Sequence, residues 1–437
     1  MSERSLSVSC FVLSLLSTHW LPNAVAQSKP IRFNKQVVTN EYFCDGVAAG
    51  DINGDGAIDL VAGPYWYEGP EFVKANAFYE PVPQSREASP SNSMFSFVHD
   101  VNEDGYSDII VLGRVHKHPA LWYENPGPGE SQRRKRNATP PDSPPKETGS
   151  TPIDSSAHPE PRYWKSHFMF ERVRGESPTL VDIDGDGTKE LICHWDGRWG
   201  WIAPEKSDPY AAWQFRAIGA DEGWPQFYHG EGVGDVNGDG RLDLLINDGW
   251  YEQPAHANSY DGEWRFHRHR FSTGRGGAQM FVDDVDRDGD PDVISAIDAH
   301  GWGLAWYEQR ASDSGTRFRE RLVMGDRSRE QDLGVAFTQP HALELADLNG
   351  DGNPDIVTGK RRWAHGPTGD IEPSAAPVVY WFEWSQDEQG NVHYIPHQID
   401  DDSGVGVQIL TVDLDGDSRV DVATASKLGT FVFRNRP

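Results

Sequence analysis

Short apolar runs punctuated by glycine, proline and acidic residues fill this chain, and none is sustained at the 3.6-residue period of an amphipathic helix. Typical pairs are "GVAAG" and "DLVAG" around Asp51, and "LELA" and "DIVTG" around Asp347. Runs this short, built from β-branched and small apolar residues, read as strands. A third run follows each pair: "YWYEG" from Tyr65, "LWYEN" from Leu121, "GWYEQ" from Gly249, "AWYEQ" from Ala305 and "YWFEW" from Tyr380. "GWIAPE" from Gly200 and "TFVFRN" from Thr430 hold the equivalent places. Their aromatics predict packing between layers, where large rings bury the most apolar area. A fourth run alternates with charge, as in "WQFRAIG" from Trp213, "WRFHRHRF" from Trp264, "RFRERLV" from Arg317 and "HYIPHQI" from His393, the pattern of an exposed outer strand. The 44 Gly and 30 Pro favour turns over long helices, so the chain reads as all-β.

Between the first and second strand of each unit lies an acidic string that returns seven times: "DINGDGAID", "DVNEDGYSD", "DIDGDGTKE", "DVNGDGRLD", "DVDRDGDPD", "DLNGDGNPD" and "DLDGDSRVD". Positions 1, 3, 5 and 9 carry side-chain oxygens in every copy. They are Asp51, Asn53, Asp55 and Asp59; Asp100, Asn102, Asp104 and Asp108; Asp182, Asp184, Asp186 and Glu190; and Asp235, Asn237, Asp239 and Asp243. The later copies supply Asp284, Asp286, Asp288 and Asp292; Asp347, Asn349, Asp351 and Asp355; and Asp413, Asp415, Asp417 and Asp421. Position 7 would add a backbone carbonyl, from Ala57, Tyr106, Thr188, Arg241, Asp290, Asn353 and Arg419. An all-oxygen set of this size suits Ca²⁺, which takes six to eight such ligands in a forgiving geometry, better than Mg²⁺ or Zn²⁺. Position 6 is glycine, which permits the positive φ of a sharp turn, except at Ser418. An EF-hand would need Glu at position 12 and flanking helices, but position 12 is Ala62, Val111, Cys193, Ile246, Ser295, Thr358 or Thr424. The unit is therefore strand, calcium loop, strand, with up to seven Ca²⁺ ions contributing to folding.

Four strands per unit and seven units at a spacing of roughly 50 residues predict a seven-bladed β-propeller with four antiparallel strands per blade. The last unit stops one strand short at "GTFVFRNRP", and "KPIRFNKQVV" from Lys29 is an outer strand with no blade before it. The N-terminal strand is expected to complete the last blade and close the ring. Residues 27–437 then form one domain. "NPGPGESQRRKRNATPPDSPPKETGSTPIDSSAHPEPR", about 125–162, is rich in Pro, Ser and charge and is predicted to be a disordered insertion. Residues 1–26 read as a signal peptide: Arg4, the apolar "SVSCFVLSLL" from Ser7, then "AVA" at 24–26. That run is too short to span a bilayer and no other segment could, so a secreted protein, extracellular or periplasmic, is expected. Cys44 and Cys193, left after Cys10 is removed, are not expected to pair. A net charge of −28 argues against nucleic acid as a partner.

The tandem acidic hairpins with following "W-Y-E" strands resemble the FG-GAP or VCBS repeat family, whose members are similar to the seven-bladed N-terminal propeller of integrin α-chains. The resemblance implies fold and calcium rather than one activity. A weaker similarity joins the chain to the propeller part of fungal aldos-2-ulose dehydratases, which are metal-dependent sugar lyases.

The phase of the strands puts the calcium loops on one face and unusual chemistry on the other. The second face collects "GRVHKHP" (His116, His118), "CHWDGRWG" (His194, Asp196), "EGWPQFYHGEG" (Trp224, His229, Glu231), "DAHGWG" (Asp298, His300, Trp302), "TQPH" (His341) and "GKRRWAHG" (Lys360, Arg361, Trp363, His365). Two functions fit. One is a monomeric extracellular binding module for carbohydrate or protein. The other is a metal-dependent carbohydrate lyase or dehydratase, with three of His229, His300, His341 and His365 on Zn²⁺ or another divalent ion and Lys360 or Glu231 as base. No nucleophile elbow, phosphate loop or dinucleotide fingerprint is visible.

Overall fold

The structure, a computed structural model, describes residues 31–87, 90–113, 117–127, 163–255, 264–272, 274–310 and 316–437. The predicted signal peptide, His116 and residues 128–162 of the predicted insertion lie outside them. Asn125, taken above as the start of the insertion, belongs to the fold. It is buried, its amide donates to the carbonyls of Ile52 (2.8 Å) and Ser107 (2.9 Å), and its backbone N–H donates to Asp108 Oδ1 (2.7 Å).

The fold is a β-propeller of antiparallel four-stranded blades with almost no helix; one short α-helix, Glu330–Leu333, is present among the described residues. The first sheet runs Val47–Gly50, Asp59–Ala62, Tyr65–Tyr67, Ala75–Ala77 from the axis outwards. The second runs Phe95–His99, Asp108–Leu112, Ala120–Glu124, Lys165–Phe170, and the third Arg174–Val181, Glu190–Trp195, Arg198–Ala203, Gln214–Ala217. Pro340–Ala346, Asp355–Lys360, Val379–Gln386 and Val392–Asp400 form another. The last holds Ile409–Val412, Asp421–Ser426 and Gly429–Arg436, completed by Arg32–Thr39, which pairs antiparallel with Gly429–Arg436. The N-terminal strand thus sits where its pattern placed it.

The sheet count differs from seven separate blades. Five four-stranded sheets stand alone, and the remaining eight strands form one sheet. Within it, Glu231–Gly234, Asp243–Ile246, Gly249–Glu252 and Arg265–Arg268 make one antiparallel half. Gln279–Asp283, Asp292–Ala296, Leu304–Arg310 and Arg317–Met324 make the other. The halves join by a short parallel contact of their innermost strands, Glu231 opposite Gln279 and Gly232 opposite Met280. Gly232 explains the fusion: a Cβ there would lie 1.9 Å from the Met280 carbonyl oxygen, so only glycine lets the two backbones approach closely enough to pair.

Apolar side chains interleave between adjacent sheets. Ile110, Trp122 and Met169 of one meet Leu191, Ile202 and Trp213 of the next, and Ile192, Trp199 and Trp201 meet Leu244 and Tyr251. Cys44 and Cys193 are buried in such layers as free thiols. Polar side chains stitch the axis instead. Gln279 accepts from Leu343 N (3.0 Å) and donates to Val407 O (2.9 Å), and Gln408 accepts from Ser96 N (2.9 Å).

The "W-Y-E" strands carry a second device. Trp122, Trp250 and Trp381 each stack on a histidine of the outer strand, His167, His267 and His397, at centroid distances of 4.2, 4.0 and 4.5 Å. The glutamate two residues on from each tryptophan binds the same imidazole: Glu124 at 2.8 Å, Glu252 at 2.6 Å and Glu383 at 2.8 Å. Alternation along a strand puts residues i and i+2 on one face, so one ring meets both partners. His267→Ala removes a stack and a charge-assisted hydrogen bond, and is expected to cost about 1–3 kcal/mol in a denaturant titration. An unchanged midpoint would deny the triad a stabilising role.

Candidate functional site: acidic loops and a buried histidine cluster

At one end of the blades the acidic loops share one wiring. In the first, Asp51 accepts from Asp55 N (3.0 Å) and Gly56 N (2.9 Å), Asn53 Oδ1 from Asp55 N (2.8 Å), and Asp55 Oδ1 from Ala57 N (2.8 Å). Position 9 is a latch. Asp59 Oδ2 accepts from Ile52 N (2.9 Å) and Oδ1 from Gly69 N beyond the third strand (2.8 Å). Asp108, Asp243, Asp292, Asp355 and Asp421 repeat both bonds. The turn needs positive φ at position 6, +91° at Gly56 with nothing within 4 Å of an added Cβ, so conformation rather than space selects glycine. Ser418 adopts the same turn at +67°.

These donors fit a hard cation. A carboxylate has about four lone-pair sites, so amide bonds leave acceptor capacity on each oxygen. Ligand atoms of Asp182, Asp184 and Glu190, and of Asp284, Asp286 and Asp292, lie within 4.8 Å of one another. Burial, opposed by the amide bonds and reinforced by neighbouring loop carboxylates, pushes Asp108, Asp243, Asp292 and Asp355 up to about 7 and Glu190 up to about 8. The seventh loop differs. Arg436 Nη2 lies 2.6 Å from Asp415 Oδ2, Arg434 Nη1 lies 3.2 Å from the same oxygen, and Arg419 and Arg436 both pair with Asp417. Guanidinium groups from the end of the chain stand among the carboxylates that were expected to hold the seventh calcium.

The opposite end holds a tighter cluster. Glu176, His229, His300 and His341 are all buried, and one ligand atom from each falls within 4.8 Å of the others. His229 Nε2 lies 2.8 Å from His300 Nε2 and 3.1 Å from Glu176 Oε2, and His341 Nε2 lies 3.2 Å from that oxygen. Local irregularities aim these groups. The strand Arg174–Val181 slips register between Arg174 and Thr179, where Glu176 leaves the ladder and its N–H donates to Tyr228 O at 2.9 Å. A Cβ on Gly276 would lie 2.3 Å from His229 O, so glycine lets that loop close over the segment bearing His229. Asp298 Oδ1 accepts from His300 N (2.9 Å), and Gln339 at φ +61° turns the chain just before His341.

Burial and neighbouring charge disfavour the protonated form of two of these rings, His300 and His341. Burial, with His341, His229 and Arg361 nearby, depresses His300 far below the ordinary imidazole range. Burial and the Arg361 guanidinium lower His341 to about 4. Three imidazoles and a carboxylate match the nitrogen and oxygen set of a divalent transition ion. Bonds of about 2.0–2.1 Å in a tetrahedron separate ligand atoms by roughly 3.3 Å, close to the 2.8–3.2 Å seen here. The Nδ1 atoms of His300 and His341 have no hydrogen-bond partner among the described residues, so no described residue fixes their tautomers from behind.

A cavity of about 840 Å³ opens over the cluster, lined by Glu176, His229, His300, Arg275, Arg361 and His365 among others. The His365 ring centroid lies 4.7 Å from that of His300, and its Nδ1 lies 2.8 Å from the buried Asp370 Oδ1. This arrangement leaves Nε2 as the proton acceptor.

The structure therefore brings His229, His300, His341 and His365 together, and leaves other candidates apart. Glu231 is sealed beneath Gly175, whose added Cβ would lie 2.3 Å from Glu231 Oε2. Lys360 Nζ donates to Thr338 Oγ1 inside its blade. His118 and Asp196 are exposed, and His194 packs against Trp199. Trp224 packs on Tyr228, Trp302 lies under Arg327, and the Trp363 indole donates to Pro373 O. Glu176 and Asp370 had no motif to announce them.

The fold and the loop wiring define a β-propeller of acidic-loop hairpins. In sequence, the FG-GAP-like repeat family matches residues 235–295 and 284–358, so the chain carries FG-GAP-like repeats there. No curated protein matches the chain in sequence. Solved structures with a similar course include an Agrocybe aegerita lectin that recognises non-reducing terminal N-acetylglucosamine (15% identity, 93% of this chain and 85% of that one, TM-score 0.43). Others are the exotype rhamnogalacturonan lyase YesX (14%, 93% and 72%, 0.40) and BBS1N, solved in complex with ARL6DN (11%, 92% and 96%, 0.44). At these values none assigns a ligand or an activity to this chain.

Proposed function

We propose that this protein is a secreted, metal-dependent propeller that binds and transforms a sugar-like ligand in the cavity over Glu176, His229, His300 and His341. The observation that carries this reading is the convergence of four buried ligand atoms at the mouth of the axis. The cavity volume of about 840 Å³ lies within the range of small-molecule sites. When bound there, a divalent transition ion would polarise an oxygen of the ligand or of water. The chain supplies the rest. Glu176 offsets charge, the depressed imidazoles stay neutral as ligands, and the His365–Asp370 pair accepts a proton at His365 Nε2 and returns it. That pair favours catalysis over simple binding, because a carboxylate-oriented imidazole facing a cavity is general-base geometry.

The same reading counts each half of the eight-stranded sheet as a blade, making seven. It assigns Ca²⁺ to the first six acidic loops and arginine to the seventh. No helix among the described residues is long and apolar enough to cross a membrane.

Elemental analysis of protein purified without added metal tests the reading. About one equivalent of zinc, manganese or iron is expected beside calcium. His229→Ala with His341→Ala should lose the transition metal and keep the calcium. Calcium alone in the wild type, with no transition ion taken up on dialysis, would overturn it.

A further inference from the structure

Beside the histidine cluster sits a cation whose donors are not accounted for. Arg361 is 2% exposed, yet it lines the cavity together with Glu176, His229 and His300. Its Nε and Nη2 atoms have no hydrogen-bond partner among the described residues. The acid closest in charge terms is Asp45, whose Oδ1 lies 3.6 Å from Nη2, beyond hydrogen-bond reach. Asp45 is also engaged elsewhere: its Oδ2 accepts from the Tyr42 hydroxyl (2.8 Å), Ser91 N (2.8 Å) and Ser91 Oγ (2.7 Å). Gln339, fully buried and joined to Arg361 through its backbone carbonyl, carries a further orphan donor at Nε2.

Unsatisfied buried donors are costly, about 1–3 kcal/mol each and more for a charged group, and folded proteins rarely keep several side by side. Nε and Nη2 form one edge of the guanidinium, the two-pronged face that matches both oxygens of a carboxylate. Asp45 offsets much of the charge, which suits a monoanion better than a phosphate dianion. Arg275 and Lys117 add positive charge to the lining.

We propose that Arg361 is a carboxylate-binding residue, holding a sugar acid bidentately through Nε and Nη2 while a neighbouring oxygen of the same ligand faces Glu176 and the three histidines. This deepens the function proposed above and rests on it for the ligand's second anchor. The Arg361 contact is a binding role and takes no proton.

Calorimetric titration of the purified, metal-replete protein with D-glucuronate, D-glucose and glucose 6-phosphate tests the assignment. Glucuronate is expected to bind at least tenfold more tightly than glucose, and more tightly than the phosphate. Arg361→Lys keeps the charge but loses the fork, and should weaken glucuronate by about 10- to 100-fold without changing glucose. Arg361→Gln paired with Asp45→Asn, which removes one buried cation and one buried anion together, should abolish the preference at unchanged metal content. Equal binding of glucuronate and glucose by metal-replete wild type, tighter binding of glucose 6-phosphate, or a preference that survives both variants, overturns the role of Arg361. Absence of transition metal from the wild type instead overturns the function on which the second anchor rests.

Discussion

Chelation with EDTA is expected to lower the melting temperature of this protein by on the order of 10 °C or more, and added Ca²⁺ should restore it. Six of the acidic loops carry side-chain oxygens at positions 1, 3, 5 and 9 of one turn, and in the first of them the amides of Ile52, Asp55, Gly56 and Ala57 hold those oxygens in place. A cation that binds only this arrangement stabilises the native state by mass action, about 2.7 kcal/mol per site at a hundredfold excess over its Kd. The proton competes for the same oxygens. Asp108, Asp243, Asp292 and Asp355, raised by burial, hold protons near neutral pH when no cation is present. The seventh loop provides the internal control. Because Arg434 and Arg436 pair with Asp415, and Arg419 and Arg436 with Asp417, Asp415→Asn should leave calcium stoichiometry unchanged, whereas Asp184→Asn should lower it by one. Scanning calorimetry with and without chelator, and equilibrium dialysis of the two variants, measure both. A melting curve indifferent to EDTA would remove calcium from the account.

The repeated strands and turns were legible because each level of the sequence says the same thing: small β-branched runs, an acidic turn with positive φ, an aromatic strand, an alternating outer strand. The fusion of two blades was not, because it depends on Gly232 meeting one carbonyl across a gap that no local pattern describes. The sequence grouped His229, His300, His341 and His365 as one metal set, but it did not say which three converge, nor that Glu176 joins them. A sharper signal existed. Aligned on the first aspartate of each acidic loop, Glu176, His229 and His341 occupy the same column, six residues upstream, and Asp45 shares it. In strands of equal phase that column lies at the start of the innermost strand, where the axis opens. Proximity in sequence misled in two cases. Glu231 stands two residues from His229 but is turned under Gly175, and Lys360 adjoins Arg361 but points into its own blade, as alternation along a strand requires. Alternation also explains the seventh loop: Arg434 and Arg436 fall on one face of the last strand and so reach the same carboxylate.

Removal of Arg32–Thr39 is expected to be the most damaging change to the fold. This strand closes the ring by pairing along its length with Gly429–Arg436, itself buried through Phe433. Its side chains also fasten the last blade to both neighbours. Lys35 Nζ reaches Asp400 at 2.9 Å on the sheet before, and Gln36 Nε2 donates at 2.6 Å to Glu71 O, in the loop between the third and fourth strands of the first sheet. Without it, the N–H and C=O groups on one side of Gly429–Arg436 lose their partners, and a long apolar strand becomes an exposed edge, the template for edge-to-edge association. The truncated protein should be recovered as aggregate, or as soluble oligomers with a melting temperature lower by more than chelation alone produces. A peptide of residues 31–39 added during refolding should compete for the open edge by strand addition and return the protein to monomer. Light scattering and calorimetry on truncated protein, with and without the peptide, decide the matter. A truncated monomer that melts with the full chain would mean that the ring holds through its inter-blade layers alone, and that the N-terminal strand merely covers an edge the propeller can tolerate.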